Sequence, residues 1–292
     1  MYAGFTYSQL LLIVFNNHTS IKLLFLVFIS QNANSPPMSF RFLKCTLTLI
    51  IAFIANGLLF SQTAYVSYAK SLGKLTESIN KTEDSLKKQF EEKKLQWPPQ
   101  QLYVRSFKYD RQLEVWVKGD ADSVFKLFKS YRVCMQSGTT GPKRMEGDYQ
   151  VPEGFYYINE FNPNSNYHLA LGLNYPNASD KLLSDSYRPG NSIYIHGSCV
   201  STGCIAISDF PIEELYVMAT QVKELGQDFI PVHVFPVKYN VKKSFEYLAM
   251  TTKDNQPLQE FAVTLKSAFD YFEAKKKLPV FLVNKKGQYI IN

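Results

Sequence analysis

Residues 192–206 constrain this chain more than any other stretch. A strand-like apolar run, Ser192-Ile193-Tyr194-Ile195, passes directly into His196-Gly197-Ser198-Cys199-Val200-Ser201-Thr202-Gly203-Cys204. An imidazole, two thiols, two glycines and several hydroxyls therefore stand where a buried strand meets a loop, the usual place for reactive groups on a rigid scaffold. A thiol attacks as thiolate, and with a pKa of about 8.5 only a few per cent is ionised near pH 7, so a neighbouring imidazole is its simplest activator. His196 and Cys204 are the candidate pair. Gly203 permits a sharp turn that can aim backbone N–H groups at a developing oxyanion.

Around this stretch the periodicity predicts a sheet-rich core, mainly β or α+β. Leu113, Val115 and Val117 alternate with Gln112, Glu114 and Lys118, the pattern of a half-buried strand. Residues 155–160, 167–173, 193–196 and 230–237 read as further strands, while 124–135 fits helix or strand equally. Ile212, Leu215, Tyr216, Ala219, Val222 and Leu225 fall at helical spacing, as do Leu258, Phe261, Ala262, Leu265, Phe269 and Phe272. Residues 279–283 and 288–291, joined by Asn284-Lys285-Lys286-Gly287, predict a closing hairpin. Residues 71–96 repeat Leu72, Leu75, Ile79, Leu86 and Phe90 between charges, as an amphipathic helix ended by Trp97-Pro98-Pro99.

The first 64 residues differ from the rest. From Met38, Arg41 and Lys44 precede an apolar run over 46–60 and then Ser61-Gln62-Thr63-Ala64, the layout of a secretory signal peptide. Met38 is thus expected to be the true start, with 1–37 an over-long leader; a double membrane anchor is the competing reading. The expected organisation is leader 1–37, signal peptide 38–64, helical spacer 65–99, catalytic domain 100–240 and a helix-and-hairpin extension over 241–292. The net charge of +7 is partly the leader's, since residues 65–292 hold 29 basic against 25 acidic side chains. That excess is too small, and too little interleaved with aromatics, to indicate nucleic acid.

The string His196-Gly197, a short insert, then Ser201-Thr202-Gly203-Cys204 resembles the active-site motif of the L,D-transpeptidase catalytic domain (YkuD-like) family, in its YafK-type branch. Ser137-Gly138, Gly141-Pro142-Lys143, Gly147-Asp148, Pro152-Glu153-Gly154-Phe155-Tyr156, Asn162-Pro163-Asn164-Ser165 and Asn174-Tyr175-Pro176-Asn177 carry the likeness over residues 100–240. The resemblance implies a β-sandwich with a few packed helices and a cysteine in a cleft. It implies two-step acyl transfer on peptidoglycan stem peptides, with Cys204 as nucleophile and His196 as general base. Gly203, Ser201 and Gly197 would shape the oxyanion and motif loop, and Lys143, Tyr156 and Thr202 are candidates for substrate contact. Thr202 and Ala206 replace a histidine and an arginine that many members carry, so substrate details of the commoner branch do not transfer.

Three alternatives remain open. Water could resolve the acyl-enzyme, giving an amidase that trims stems or releases a wall-linked lipoprotein; or the domain could be a wall-binding module without activity. Cys199 could pair with Cys204 in an oxidising compartment and silence it, and a metal at His196, Cys199 and Cys204 lacks a fourth ligand. His168 and His233 lie in apolar strand patterns and read as core histidines, and Glu153 as structural. No metal or cofactor is required. The expected partners are stem peptides, with membrane contact through the leader alone, and the expected location is the periplasm or cell envelope.

Overall fold

The computed structural model describes residues 10–13, 25–28, 76 and 80–291. The chain divides into two units, Met1–Val66 and Ser67–Asn292. In the first, β1 (Leu10–Ile13) pairs antiparallel with β2 (Phe25–Phe28). The expected start at Met38 and the signal segment 38–64 lie outside the described residues. Among the described residues no helix is long and apolar enough to cross a membrane.

The second unit is built on one eight-stranded sheet. Its strands are β3 (Gln101–Phe107), β4 (Gln112–Lys118), β5 (Lys126–Arg132), β6 (Gly154–Ser165), β7 (His168–Leu173), β8 (Tyr194–His196), β9 (Ile205–Ala206) and β10 (Ile230–Phe235). They run in the order β5-β4-β3-β10-β6-β7-β8-β9, with β10–β3 and β8–β9 parallel and the other pairs antiparallel. Where the family resemblance implies a β-sandwich, these strands hydrogen bond in a single curled sheet, giving a mixed α/β fold. The ambiguous stretch 124–135 supplies β5 as a strand.

Side chains alternate across the sheet, so each strand feeds two apolar layers. Leu102, Val104, Leu113, Val115, Val117, Tyr156, Ile158, Val232 and Val234 meet α3 (Asp209–Glu224) through Ile212, Leu215, Tyr216 and Ala219. On the other face Phe107, Phe155 and Phe235 meet α4 (Lys242–Thr252), α5 (Gln256–Lys275) and the hairpin of β11 (Phe281–Val283) with β12 (Tyr289–Ile291). β4 is consequently buried on both faces rather than one. Its Glu114 is enclosed because Arg105 at 2.6 Å and Lys238 at 2.7 Å neutralise it and Trp116 donates to it at 2.9 Å.

The helix α1 (residues 80–92) belongs to this core. Leu86 and Phe90 are fully buried, and Phe90 stacks on Phe128 at 4.4 Å. Gln89 donates to the buried carboxylate of Glu214 at 2.7 Å, where Lys129 and Tyr131 also bind. From residue 80 onward the amphipathic helix expected from the sequence thus packs on one side of the sheet. Two helices had no periodic signal: α2 (Ala178–Leu183) is a short turn held by an Asn177–Asp180 capping box, and α4 buries only Ser244, Leu248 and Thr252.

Candidate active site

The site forms where β8 and β9 run side by side at the sheet edge. Their register sets Ile195 against Ile205 and His196 against Ala206. Ile195 and Ile205 are both 0% exposed and belong to the α3-side core, so the alternating residue His196 faces the other way. Cys204 immediately precedes β9 and stands two register steps from His196. Adjacent strands lie about 4.8 Å apart and rise about 3.3 Å per residue, so ideal strand spacing would set these two positions about 8 Å apart at the backbone.

The tautomer of His196 follows from its contacts. Nδ1 lies 2.5 Å from the carbonyl oxygen of Gly197, and a carbonyl can only accept, so Nδ1 carries the proton and Nε2 the lone pair. The Tyr167 ring lies over the imidazole with centroids 4.8 Å apart. Burial lowers the His196 pKa from its usual value, against the opposing pull of the Gly197 carbonyl. The ring is therefore neutral near pH 7 and able to accept a proton.

Cys204 is the free cysteine of the described residues. Burial pushes its thiol pKa up; the Tyr194 amide and the charge of Lys143 pull it back. Its sulfur points to the Ser192 carbonyl at 3.8 Å. The resting pair is thus a thiol and a neutral imidazole, and among the described residues the polar partners of the sulfur are Ser192 and Tyr194. No hydrogen bond between the sulfur and His196 is among them.

Three ties hold the intervening loop. Ser201 Oγ donates to the Cys204 carbonyl at 2.7 Å and accepts the Gly203 amide at 3.2 Å. Gly203 has φ +134°, and a Cβ there would press to 3.3 Å from the Gln150 carbonyl, so the turn requires glycine. At Gly197 the constraint is space, since a Cβ would lie 2.6 Å from Asp209 Oδ1 and 2.8 Å from the Tyr167 carbonyl. The third tie corrects the sequence reading: Cys199 forms its disulfide with Cys134, across 65 positions, and not with Cys204. Cys134 sits where the chain leaves β5 to bridge Ala206, its amide donating to the Ala206 carbonyl at 2.9 Å. The bridge leaves Cys204 free and removes Cys199 from any ligand set.

The remaining candidates separate. Thr202 is exposed on the loop. Lys143 is buried, with its ammonium 2.6 Å from Asp148 Oδ1 and 2.8 Å from the Met145 carbonyl, within electrostatic reach of Cys204 but not presented to solvent. Tyr156 is 3% exposed and its hydroxyl donates to Asp180 at 3.0 Å, which puts it in the interior rather than on a cleft wall. His233 is a core histidine whose Nδ1 shares a hydrogen bond with the Tyr103 hydroxyl at 2.8 Å. His168 is not: its side chain is 38% exposed and meets Glu213 at 2.7 Å, because it falls on the β6–β7 turn with φ +72°. Glu153 is buried against Lys108 at 3.0 Å. Sequence reasoning missed Cys134, Tyr167 and Asp209, whose roles arise only when distant segments are brought together.

A family model described as the L,D-transpeptidase catalytic domain, YkuD, matches residues 107–234. YafK of Escherichia coli (strain K12) is 34% identical over 194 residues, covering 65% of this chain and 74% of YafK. The helical cell shape determining protein Pgp2 of Campylobacter jejuni aligns over 62% of this chain and 72% of its own at 22% identity, with a TM-score of 0.38. Bd1075 of Bdellovibrio bacteriovorus aligns over 60% of each chain at 21% identity, with a TM-score of 0.35.

Proposed function

We propose a function from one premise: this chain belongs to the L,D-transpeptidase catalytic domain (YkuD) family. On that premise it is a cysteine acyltransferase of peptidoglycan stem peptides. The observation that carries this reading is the β8–β9 register, which turns His196 away from the α3-side core that takes Ile195 and Ile205, on the strand beside the one that Cys204 precedes.

In the proposed reaction the Cys204 thiol gives its proton to Nε2 of His196 as the sulfur attacks the carbonyl at the L-centre of a diamino acid. The tetrahedral oxyanion takes a backbone donor from the Gly203–Cys204 turn. Gly203's amide is held by Ser201, so the Cys204 amide is the donor this reading needs. The C–N bond then breaks, His196 returns the proton to the departing D-amino acid, and a thioester remains on Cys204. An amine of a second stem attacks the thioester, its proton passes to His196, and the thiol is restored. Water in place of that amine would make the same site a hydrolase.

The Cys134–Cys199 disulfide supports placement in the periplasm or envelope, where such bonds persist. The product profile on defined muropeptides tests the reading. Cross-linked dimers with release of a D-amino acid are expected; trimmed stems or freed lipoprotein peptide would assign the hydrolase instead, and absence of both would remove the enzymatic reading.

A further inference from the structure

The peptide group joining Gly197 to Ser198 carries a hydrogen bond at each end. Its carbonyl accepts Nδ1–H of His196 at 2.5 Å, and its amide donates to Oδ1 of Asp209 at 2.7 Å. We propose that Asp209 is a positioning residue that acts on His196 through this peptide group, fixing the Nδ1–H tautomer and strengthening the imidazole as the base for Cys204. The inference rests on the Cys204–His196 reading given above.

The geometry is built for this contact. Ser198 has φ +57°, a left-handed conformation that non-glycine residues adopt at a cost. Gly197 has no room for a Cβ because Asp209 Oδ1 and the Tyr167 carbonyl close on it. Cys134 Sγ lies 3.4 Å from the Ser198 carbonyl, beside the disulfide that pins the loop. Asp209 opens α3, whose N-cap residue Ser208 makes no side-chain cap bond. A carboxylate at that place is well sited to cap its own helix, yet its Oδ1 meets the loop amide instead.

The chemistry follows from polarisation. A hydrogen bond to an ionised acceptor is about twice as strong as a neutral one, and successive bonds in a chain reinforce each other by roughly 10–30% each. An amide that donates to a carboxylate places more negative charge on its own carbonyl oxygen, which favours the imidazolium formed when His196 takes the Cys204 proton. That proton stays on Nε2, none moves to Asp209, and no bond of the peptide changes. The other ionisable groups around the pair are Tyr167 over the ring, Lys143 with Asp148 and Tyr194 with Glu160 beside Cys204, and His168 with Glu213 next to Gly197.

The sign of the Asp209→Asn effect separates this relay from a bare charge effect. Asparagine keeps an oxygen for the Ser198 amide but loses the charge. Removing a nearby anion would by itself favour the thiolate and speed its reactions, whereas weakening the relay slows them. The experiment is the pH profile of Cys204 alkylation by iodoacetamide, read by mass spectrometry of the Cys204 peptide in wild type, Asp209→Asn, His196→Ala and the double variant. The expected result is alkylation about threefold slower at pH 7 in Asp209→Asn, with the inflection about half a unit higher, and no further slowing in the His196→Ala background. Coincident profiles, or faster alkylation in Asp209→Asn, would overturn the proposal. Should Asp209→Asn fail to fold, the wild-type Ser198 amide proton serves instead: it is expected to shift as His196 titrates, and a stationary resonance counts against the relay. If alkylation behaves as expected while wild type turns over no stem peptide, the functional reading falls and the Asp209 inference stands. If wild type turns over and the profiles coincide, the Asp209 inference falls alone.

Discussion

Ile195 and Ile205 face one another across the parallel β8–β9 pairing, and both are wholly buried. This contact decides which way the reactive residues point. With the isoleucines turned to the α3 core, His196 must project to the opposite side, where the Cys204 turn begins. A slip of one residue in either strand would turn the imidazole into the α3-side core and an isoleucine out of it.

The disulfide is expected to hold the reactive loop and to stabilise the whole domain. Replacing Cys134 and Cys199 together by serine opens a loop of 65 positions, and the chain-entropy model puts the loss at about 4 kcal/mol. Thermal unfolding with and without reductant measures it: wild type should lose stability on reduction and the double variant should not respond. Equal melting temperatures in wild type with and without reductant would argue against the bridge.

Glycine at 203 is expected to be needed for activity far more than for folding. Gly203→Ala forces a side chain into φ +134° and against the Gln150 carbonyl, at a strain of about 1–3 kcal/mol. The turn carrying Cys204 should shift, with stem-peptide turnover falling at least tenfold while circular dichroism stays native. A fully active Gly203→Ala would show that this turn does not set the sulfur.

Helix α1 should behave as core. Phe90 is fully buried between Phe128 and Trp97, and Phe→Ala at such sites costs about 3–5 kcal/mol. Denaturant unfolding of Phe90→Ala is expected to show a loss of that size. A change under 1 kcal/mol would restore the view of this segment as a spacer.

Acid should destabilise the domain through His233. Burial lowers its pKa to about 3, with Arg105 acting in the same direction, against about 6.5 in the unfolded chain. Between those values the unfolded chain binds the proton and the native chain does not, so stability falls as pH drops from about 6.5 toward 3. The His233 ring resonances should keep their neutral shifts down to about pH 4. Titration near pH 6 would contradict the burial argument.

What was legible in the sequence was what repeats or what is local. The strands around 113–117, 155–160 and 230–237 and the helices beginning near 212 and 258 announce themselves by apolar period, and the His196 to Cys204 string by its residue types. The family follows from that string and is the one the comparisons give. Partnerships between distant segments were not legible. Cys134 and Cys199 are joined because β5 leads into a bridge with Ala206, and nothing in either cysteine's neighbourhood encodes that. Asp209 looks like an ordinary residue of a first helical turn until the loop is folded onto it. Tyr156 and Lys143 sit in family-like segments, yet burial gives both of them internal partners. His168 misled because an apolar alternation continues through a turn that the pattern does not reveal.

Acylation of Cys204, with His196 as its base, is the step on which the proposed function depends. Intact-protein mass spectrometry during reaction with a defined tetrapeptide stem tests this most directly. Wild type is expected to gain the mass of the acyl group, mapped to Cys204, with His196→Ala slower by at least a hundredfold and Cys204→Ala showing neither adduct nor product. Turnover that persists in Cys204→Ala, or an adduct mapped to another residue, would contradict it.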